Sequence, residues 1–356
     1  MFFKKKYLHQ VLNSNDEILK TMAFERFYQN QNVNEVIKFK KEYFVLFHYP
    51  NHFINAHKID NLGDDIQSLA VKNALNLIYS NPKFEYFGRD YLSYYNTEGG
   101  GEGVVIMQGW FAHNYSFLPP KNLLPVFVGT HFSEYIQKYL LFVLARCPTY
   151  FQNKSIGCRD LYTLEFCQSL GLNAYFSRCL TLTLPKREPK ASQNKIFFVN
   201  LPKEFLPFIP KDIKEQAEPI NQQVVVFDRI DLNDDSCCLK MAESLLGRYK
   251  NEAKLIITSA LHCAAPCVAM GIPVILCRSN NEQTTRFSAL NGILPIYSPD
   301  DFKKKQVDFN PKPLNIESLK KALLENLHLS IKEACGETVD TNKLLEHRDL
   351  IKNFKI

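Results

Sequence analysis

The chain has no apolar run approaching the roughly 18–20 residues that a bilayer-spanning helix needs, so no membrane span is expected. Its opening, "MFFKKKYLHQVLNSNDE", lacks an apolar stretch followed by a small-residue cleavage site and predicts no leader peptide. Matched CxxC pairs are missing: the ten cysteines are scattered, several in apolar stretches (Cys263, Cys267, Cys277). The adjacent Cys237 and Cys238 suit neither a zinc knuckle nor an easy disulfide. This excludes a disulfide framework and predicts a reducing cytoplasm, with cysteine used as a small hydrophobe. The sequence offers no convincing metal cluster, internal repeat or low-complexity tract. Its basic residues are not interleaved with aromatics in a nucleic-acid-binding pattern, which argues against nucleic acid as a partner.

What is there is ample. A chain of 356 residues can hold two domains, each with its own core, and 46% apolar with 22% charged residues is the balance of a soluble globular protein. The net charge of +6 is carried partly by Lys4–Lys5–Lys6, Lys38–Lys40–Lys41 and Lys303–Lys304–Lys305. Solubility accounts for such clusters. So does attraction to an anionic substrate, or peripheral contact with the inner membrane surface.

The first forty or so residues have helical spacing (Ile18, Met22, Phe24, Phe27) and no chemistry, so residues 1–42 are expected to form a helical arm. Strand and helix patterns then alternate. "YFVLFHYP", "GVVIMQGWF", "LLPVFVGTHF" and "NAYFSRCLTLTLP" read as strands. "NLGDDIQSLAVKNALNLI" and "YIQKYLLFVLARC" read as helices, the first with Asp64 or Asp65 at its N-cap. "KREPKASQN" (186–194) interrupts the series as a linker, after which "KIFFVNLP", "QVVVFDR", "KLIITS" and "IPVILCR" alternate with helices again. The expected fold is α/β: two Rossmann-like doubly wound domains, 43–185 and 195–334, facing a cleft. A C-terminal helix within 335–356 is expected to pack back on the first. Glycine-rich "TEGGGEG" precedes a strand and carries two glutamates, so it reads as a flexible loop and not a phosphate cradle.

Ligands of such sheets bind at the carboxyl ends of the strands. Three junctions there carry chemistry. "DNLGDDIQ" offers Asn61, Gly63 for close backbone approach, and the carboxylates Asp64 and Asp65, either of which could orient or deprotonate a sugar hydroxyl. A plain helix cap accounts for one of the two carboxylates. "IGCRDLYT" places Arg159 at a strand end, suited to a phosphate or carboxylate, or paired with Asp160 at the surface. "TSALHCAAPCVAMGIPVIL" sets His262 at a helix start among small residues, where a neutral imidazole could act as acid or base. Arg286, in "TTRFSAL", is a further cation.

Taken together, "NLGDDIQSLA", "VVIMQGWF", "PVFVGTHFSE", "IGCRDLYTLEFCQSLGLNAYFSRCLTLTLP" and "LIITSALHCAAPCVAMGIPVIL" resemble the polysaccharide pyruvyl transferase family in order and spacing, from about Tyr43 to Leu294. The resemblance implies a GT-B-like fold and an enzyme that moves the enolpyruvyl group of phosphoenolpyruvate onto two sugar hydroxyls, releasing phosphate. The acceptor would be a sugar of capsule, lipopolysaccharide or another surface polysaccharide, free or lipid-linked, and no cofactor is implied. His262 would be the proton donor, and Asp64 or Asp65 the group that holds the hydroxyl. Arg159, Arg286, Leu261, Gly63 and Asn61 would bind substrate. An Arg-Leu-His triplet of the family is matched at Leu261 and His262 but is Ala260 at its first position, so Arg159, Arg286 or Arg278 is expected to compensate. The alternatives are a glycosyltransferase with a nucleotide-sugar donor, against which Pro266 stands where a glutamate is usual, and a non-catalytic scaffold.

Overall fold

The computed structural model describes residues 2–29, 42–49, 59–95, 103–112, 114–225, 236–279 and 284–356. Its first half runs α1 (Phe2–Gln29), β1 (Tyr43–His48), β2 (Ile59–Asn61), α2 (Leu62–Ile78), β3 (Lys83–Gly88), β4 (Gly103–Ile106), β5 (Gly109–Phe111), β6 (Leu123–Phe132), α3 (Glu134–Arg146), β7 (Ile156–Cys158), α4 (Leu161–Ser169) and β8 (Ala174–Phe176). Seven of these strands form one parallel sheet in the order β3-β1-β4-β6-β7-β8, with β5 also beside β6. The second half runs β9 (Lys195–Val199), α5 (Lys211–Gln216), β10 (Ala217–Ile220), β11 (Gln223–Val225), α6 (Ser236–Glu252), β12 (Ala253–Thr258), α7 (Leu261–Ala269), β13 (Val274–Cys277), β14 (Ile296–Tyr297), α8 (Pro299–Lys303), α9 (Glu317–Ala334) and α10 (Thr341–Asn353). Its parallel sheet has the order β10-β9-β12-β13-β14.

Both sheets are buried on both faces, which is why their strands read as unbroken apolar runs. In β1, Phe44 and Leu46 meet Val71 and Leu75 of α2 and Leu327 and Ile331 of α9. Val45 and Phe47 point the other way, towards Phe27 of α1 and Ile136 and Val143 of α3. The second sheet divides the same way, with Phe197, Ile256 and Val274 on one side and Phe198, Ile257 and Ile275 on the other. Two Rossmann-like halves thus face each other in a GT-B-like arrangement. No helix among the described residues is long and apolar enough to cross a membrane.

Several contacts join the halves. Leu62, Ile66 and Ala70 of α2 lie in the same core as Leu261, Ala264 and Ala265 of α7 and Ala242 and Leu245 of α6. A two-stranded antiparallel ribbon pairs β2 with β11, Asn61 opposite Gln223. Finally, Arg178 is buried and donates to the carbonyls of Ala289, Asn291, Ile351 and Phe354, tying the end of α10 to the first half. Burial lowers its pKa to about 10.

Several elements differ from the sequence reading. α1 is helical, but its buried side is Ala23 and Phe27, with Phe27 edge-on to Tyr150, while Ile18 and Met22 are 55% and 62% exposed. "GVVIMQGWF" is two strands, broken where the Gln108 side chain turns to bond Gln67 O and Leu180 N. "NAYFSRCLTLTLP" is only a three-residue strand. Arg178 then takes φ 55°, and Leu180–Thr183 winds into a 3-10 turn whose threonine hydroxyls bond locally to Cys179 and Leu180. "QVVVFDR" begins as β11 in the inter-half ribbon and not in the second sheet; its end lies outside the described residues, as does "TEGGGE". The return to the first half starts before residue 335, because Leu327 and Ile331 of α9 already pack on the first sheet.

Candidate active site

The carboxyl ends of both sheets' strands meet at a pocket of about 260 Å³. Asn61, Gly63 and Asp64 enter from the β2–α2 junction, Trp110 from β5 and Arg159 from the residue after β7. From the second half come Asn200 after β9, Gln222 before β11, Ser259 to His262 at the β12–α7 junction, Arg278 after β13, and Arg286 with Phe287.

The start of α7 explains the position of the imidazole. Pro266 has no N–H for the carbonyl four residues back, and its ring crowds that turn. That carbonyl belongs to His262, whose φ/ψ of −86°/18° departs from the helix. It instead accepts a bond from Gln222 Nε2 at 3.4 Å. The ring keeps part of its surface open to the pocket, and its Nε2 is buried without a hydrogen-bond partner. Burial first, then the guanidinium charges of Arg159 and Arg286, hold it well below its ordinary pKa, so it is neutral at neutral pH.

Arg159 is 1% exposed and is fixed by Nη1 to Gln67 Oε1 at 3.1 Å, with Nε 3.5 Å from Asp160 Oδ2. Gln67 Nε2 in turn donates to Asp64 Oδ1 at 2.9 Å, so one amide holds the cation and the carboxylate in register. Arg89 Nη1 lies 3.9 Å from Asp64 Oδ2. Burial nevertheless raises the Asp64 pKa against the pull of Arg89 and Arg159, which equips it to take a proton. Arg286 lies over Trp110, 5.0 Å from the ring centroid. Its pKa is lowered by burial, with Arg159 and Arg278 pushing the same way.

His262, Asp64, Arg159, Arg286, Leu261, Gly63 and Asn61 all line this pocket. Asp65 does not. It is 2% exposed, and burial together with Asp60 and Asp64 raises its pKa well above the ordinary range. Neither aspartate is the cap: Asn61 caps α2 by accepting from Gly63 N at 3.1 Å, and the aspartates lie inside the first turn. Gly63 also serves a purpose other than the expected one, because its missing side chain leaves room for His262.

Sequence reasoning missed Trp110, Asn200, Gln222 and Gln67, and also His131. The His131 Nδ1 is 2.6 Å from Asp160 Oδ2, and burial, reinforced by Arg159 and Arg286, lowers the ring to about 4 against the pull of Asp160. An imidazole at the penultimate position of β6 was the available signal. Among the described residues no group of His, Cys, Asp or Glu could hold a metal ion.

The family model described as polysaccharide pyruvyl transferase matches residues 61–281, a span that contains every one of these pocket residues except Arg286 and Phe287. The chain belongs to the polysaccharide pyruvyl transferase family. It is accordingly a transferase, and a polysaccharide acceptor is implied. No curated protein matches it. Among solved structures, it is similar to a variant of the wall teichoic acid polymerase TagF at 10% identity, covering 97% of this chain and 96% of that one, with a TM-score of 0.40. A second TagF structure gives 12% identity, 98% and 97% coverage and a TM-score of 0.34. A putative UDP-N-acetylglucosamine 2-epimerase from Listeria monocytogenes gives 10% identity, 84% and 98% coverage and a TM-score of 0.34.

Proposed function

We propose that this pyruvyl transferase takes its group from phosphoenolpyruvate and forms a cyclic ketal on a sugar of a surface polysaccharide or its precursor. The observation that carries the reading is the convergence of His262, Asp64, Arg159 and Arg286 on one small pocket between the halves. Arg159 and Arg286 hold the donor's phosphate. The dianion offsets the guanidinium charges that keep His262 neutral, so the ring can take up a proton once the donor is bound.

His262 passes that proton to the vinyl carbon, leaving an oxocarbenium-like centre at the carbon that bears the phosphate oxygen. A sugar hydroxyl attacks this centre and its proton passes to Asp64. The carbon–oxygen bond to phosphate then breaks, with Arg159 and Arg286 stabilising the departing charge. The second hydroxyl then bonds to the same carbon, closing the ring, and its proton passes to the now neutral His262. Ala260 contributes no charge, so Arg159 and Arg286 hold the phosphate without help from that position.

Incubation with phosphoenolpyruvate and with a panel of nucleotide sugars, in the presence of candidate acceptors, tests the reading. Acceptor-dependent release of phosphate from phosphoenolpyruvate is expected. Release of nucleotide alone would make the protein a glycosyltransferase, and donor binding without turnover on any acceptor would make it a scaffold.

A further inference from the structure

The pocket holds more positive charge than the mechanism above uses. Among the described residues its lining has three guanidiniums (Arg159, Arg278 and Arg286) against one carboxylate, Asp64, which is already engaged by Gln67 and Arg89. Three cations drawn into about 260 Å³ repel one another, and Arg278 is among the charges that lower the Arg286 pKa. Such an arrangement suits a ligand that brings more than one negative charge. Asp160, behind the lining, offsets part of the Arg159 charge, its Oδ2 lying 3.5 Å from Arg159 Nε.

Arg278 is built into place. It follows β13 directly, next to the end of β12, and its Nη1 donates to Ser259 O at 3.1 Å. Its Cζ stacks 4.0 Å from the centroid of Phe287. These two contacts hold the planar group beside Ala260, where α7 begins without a side-chain cap. The helix there presents only a methyl group and the positive end of its dipole. Arg278 therefore supplies the charged fork that position 260 lacks.

We propose that Arg278 is a donor-binding residue, a third guanidinium that contacts the anionic groups of phosphoenolpyruvate beside the start of α7. This rests on the reading of the donor given above. Its geometry also accounts for how a pocket with Ala260 still matches a donor bearing both a phosphate and a carboxylate.

The test is calorimetric binding of phosphoenolpyruvate to the full chain and to Arg278→Gln and Arg278→Lys, at low and high ionic strength. Arg278→Gln removes the charge and Arg278→Lys keeps it, so the pair separates charge from side-chain bulk. Arg278→Gln is expected to weaken binding at least tenfold and to flatten its salt dependence, which a loss of packing alone would not do. Arg278→Lys is expected to recover part of the affinity and the steeper salt slope. Binding to Arg278→Gln within twofold of wild type, with an unchanged salt slope, overturns the assignment and leaves the donor reading intact. Failure of the unmodified chain to bind phosphoenolpyruvate at all overturns both.

Discussion

Gly63 lies against the ring of His262: a methyl group built on Gly63 would sit 3.2 Å from His262 Cβ and 3.5 Å from its Nδ1. The first half of the protein thus sets the position of the imidazole that the second half carries. Gly63→Ala must move the ring or the start of α2 by a few tenths of an ångström. The expected result is a tenfold or greater loss of transfer rate with a modest fall in Tm. A wild-type rate would show that the placement of the ring is not critical.

His262→Gln removes the proposed proton donor while leaving the guanidiniums in place. Turnover is expected to fall by at least ~10²-fold, the low end of what acid–base groups contribute, with phosphoenolpyruvate binding retained. Single-turnover kinetics alongside calorimetry separate the two effects. Near-normal turnover would remove His262 from the scheme.

Gln67 bonds Arg159 and Asp64 at once. Gln67→Leu fills much the same space but leaves both charged partners short of a bond, a loss of about 1–3 kcal/mol. Weaker donor binding and a lower kcat are expected together. A double-mutant cycle with Arg159→Lys should show a coupling of at least ~0.5 kcal/mol. Strict additivity would mean that the amide does not act through Arg159.

Stability should also depend on pH in a defined direction. His131 is lowered in the folded protein from 6.5 to about 4, and His262 is lowered as well. Their unfolded forms bind protons first as the pH drops. The stability they contribute is therefore fully present above about pH 6.5 and is lost as the pH falls towards 4. Asp64 and Asp65, both raised, act in the opposite direction. Comparing urea midpoints of wild type and His131→Asn across this range isolates one ring, and the variant should show the shallower acid slope. Identical slopes would contradict the burial of His131 as a neutral group.

Arg178 donates to four backbone carbonyls from a buried position. Arg178→Met leaves these carbonyls without a partner and should destabilise the fold by about 1–3 kcal/mol for each that stays buried. The C-terminal helix should become the first site of limited proteolysis. An unchanged cleavage pattern would argue against its role as the clamp on α10.

The architecture was legible because strands buried on both faces must be apolar along the buried stretch, and "FVLF", "IFFV" and "LII" are. Features set by long-range contacts were not. Alternating Leu and Thr in "LTLTLP" mimics a strand, yet the preceding left-handed residue and the local hydroxyl bonds turn it into a 3-10 coil. The pairing of β11 with β2 depends on what lies across the interface, which no local pattern encodes. At the site, the residues at strand ends were readable by position. The choice between Asp64 and Asp65 was not, although helix geometry decides it. Neighbours on a helix point about 100° apart, so only one of the pair can face the pocket while the other turns inward.

The apolar contact between α2 and α7 has a consequence for how substrates come and go. Swinging the halves apart would strip Leu62, Ile66 and Ala70 from Leu261, Ala264 and Ala265 and wet them all at once, at roughly 25 cal/mol for each Å² exposed. A wide-opening jaw is thus disfavoured. Traffic is left to the rim of a preformed chamber, where small side-chain displacements suffice.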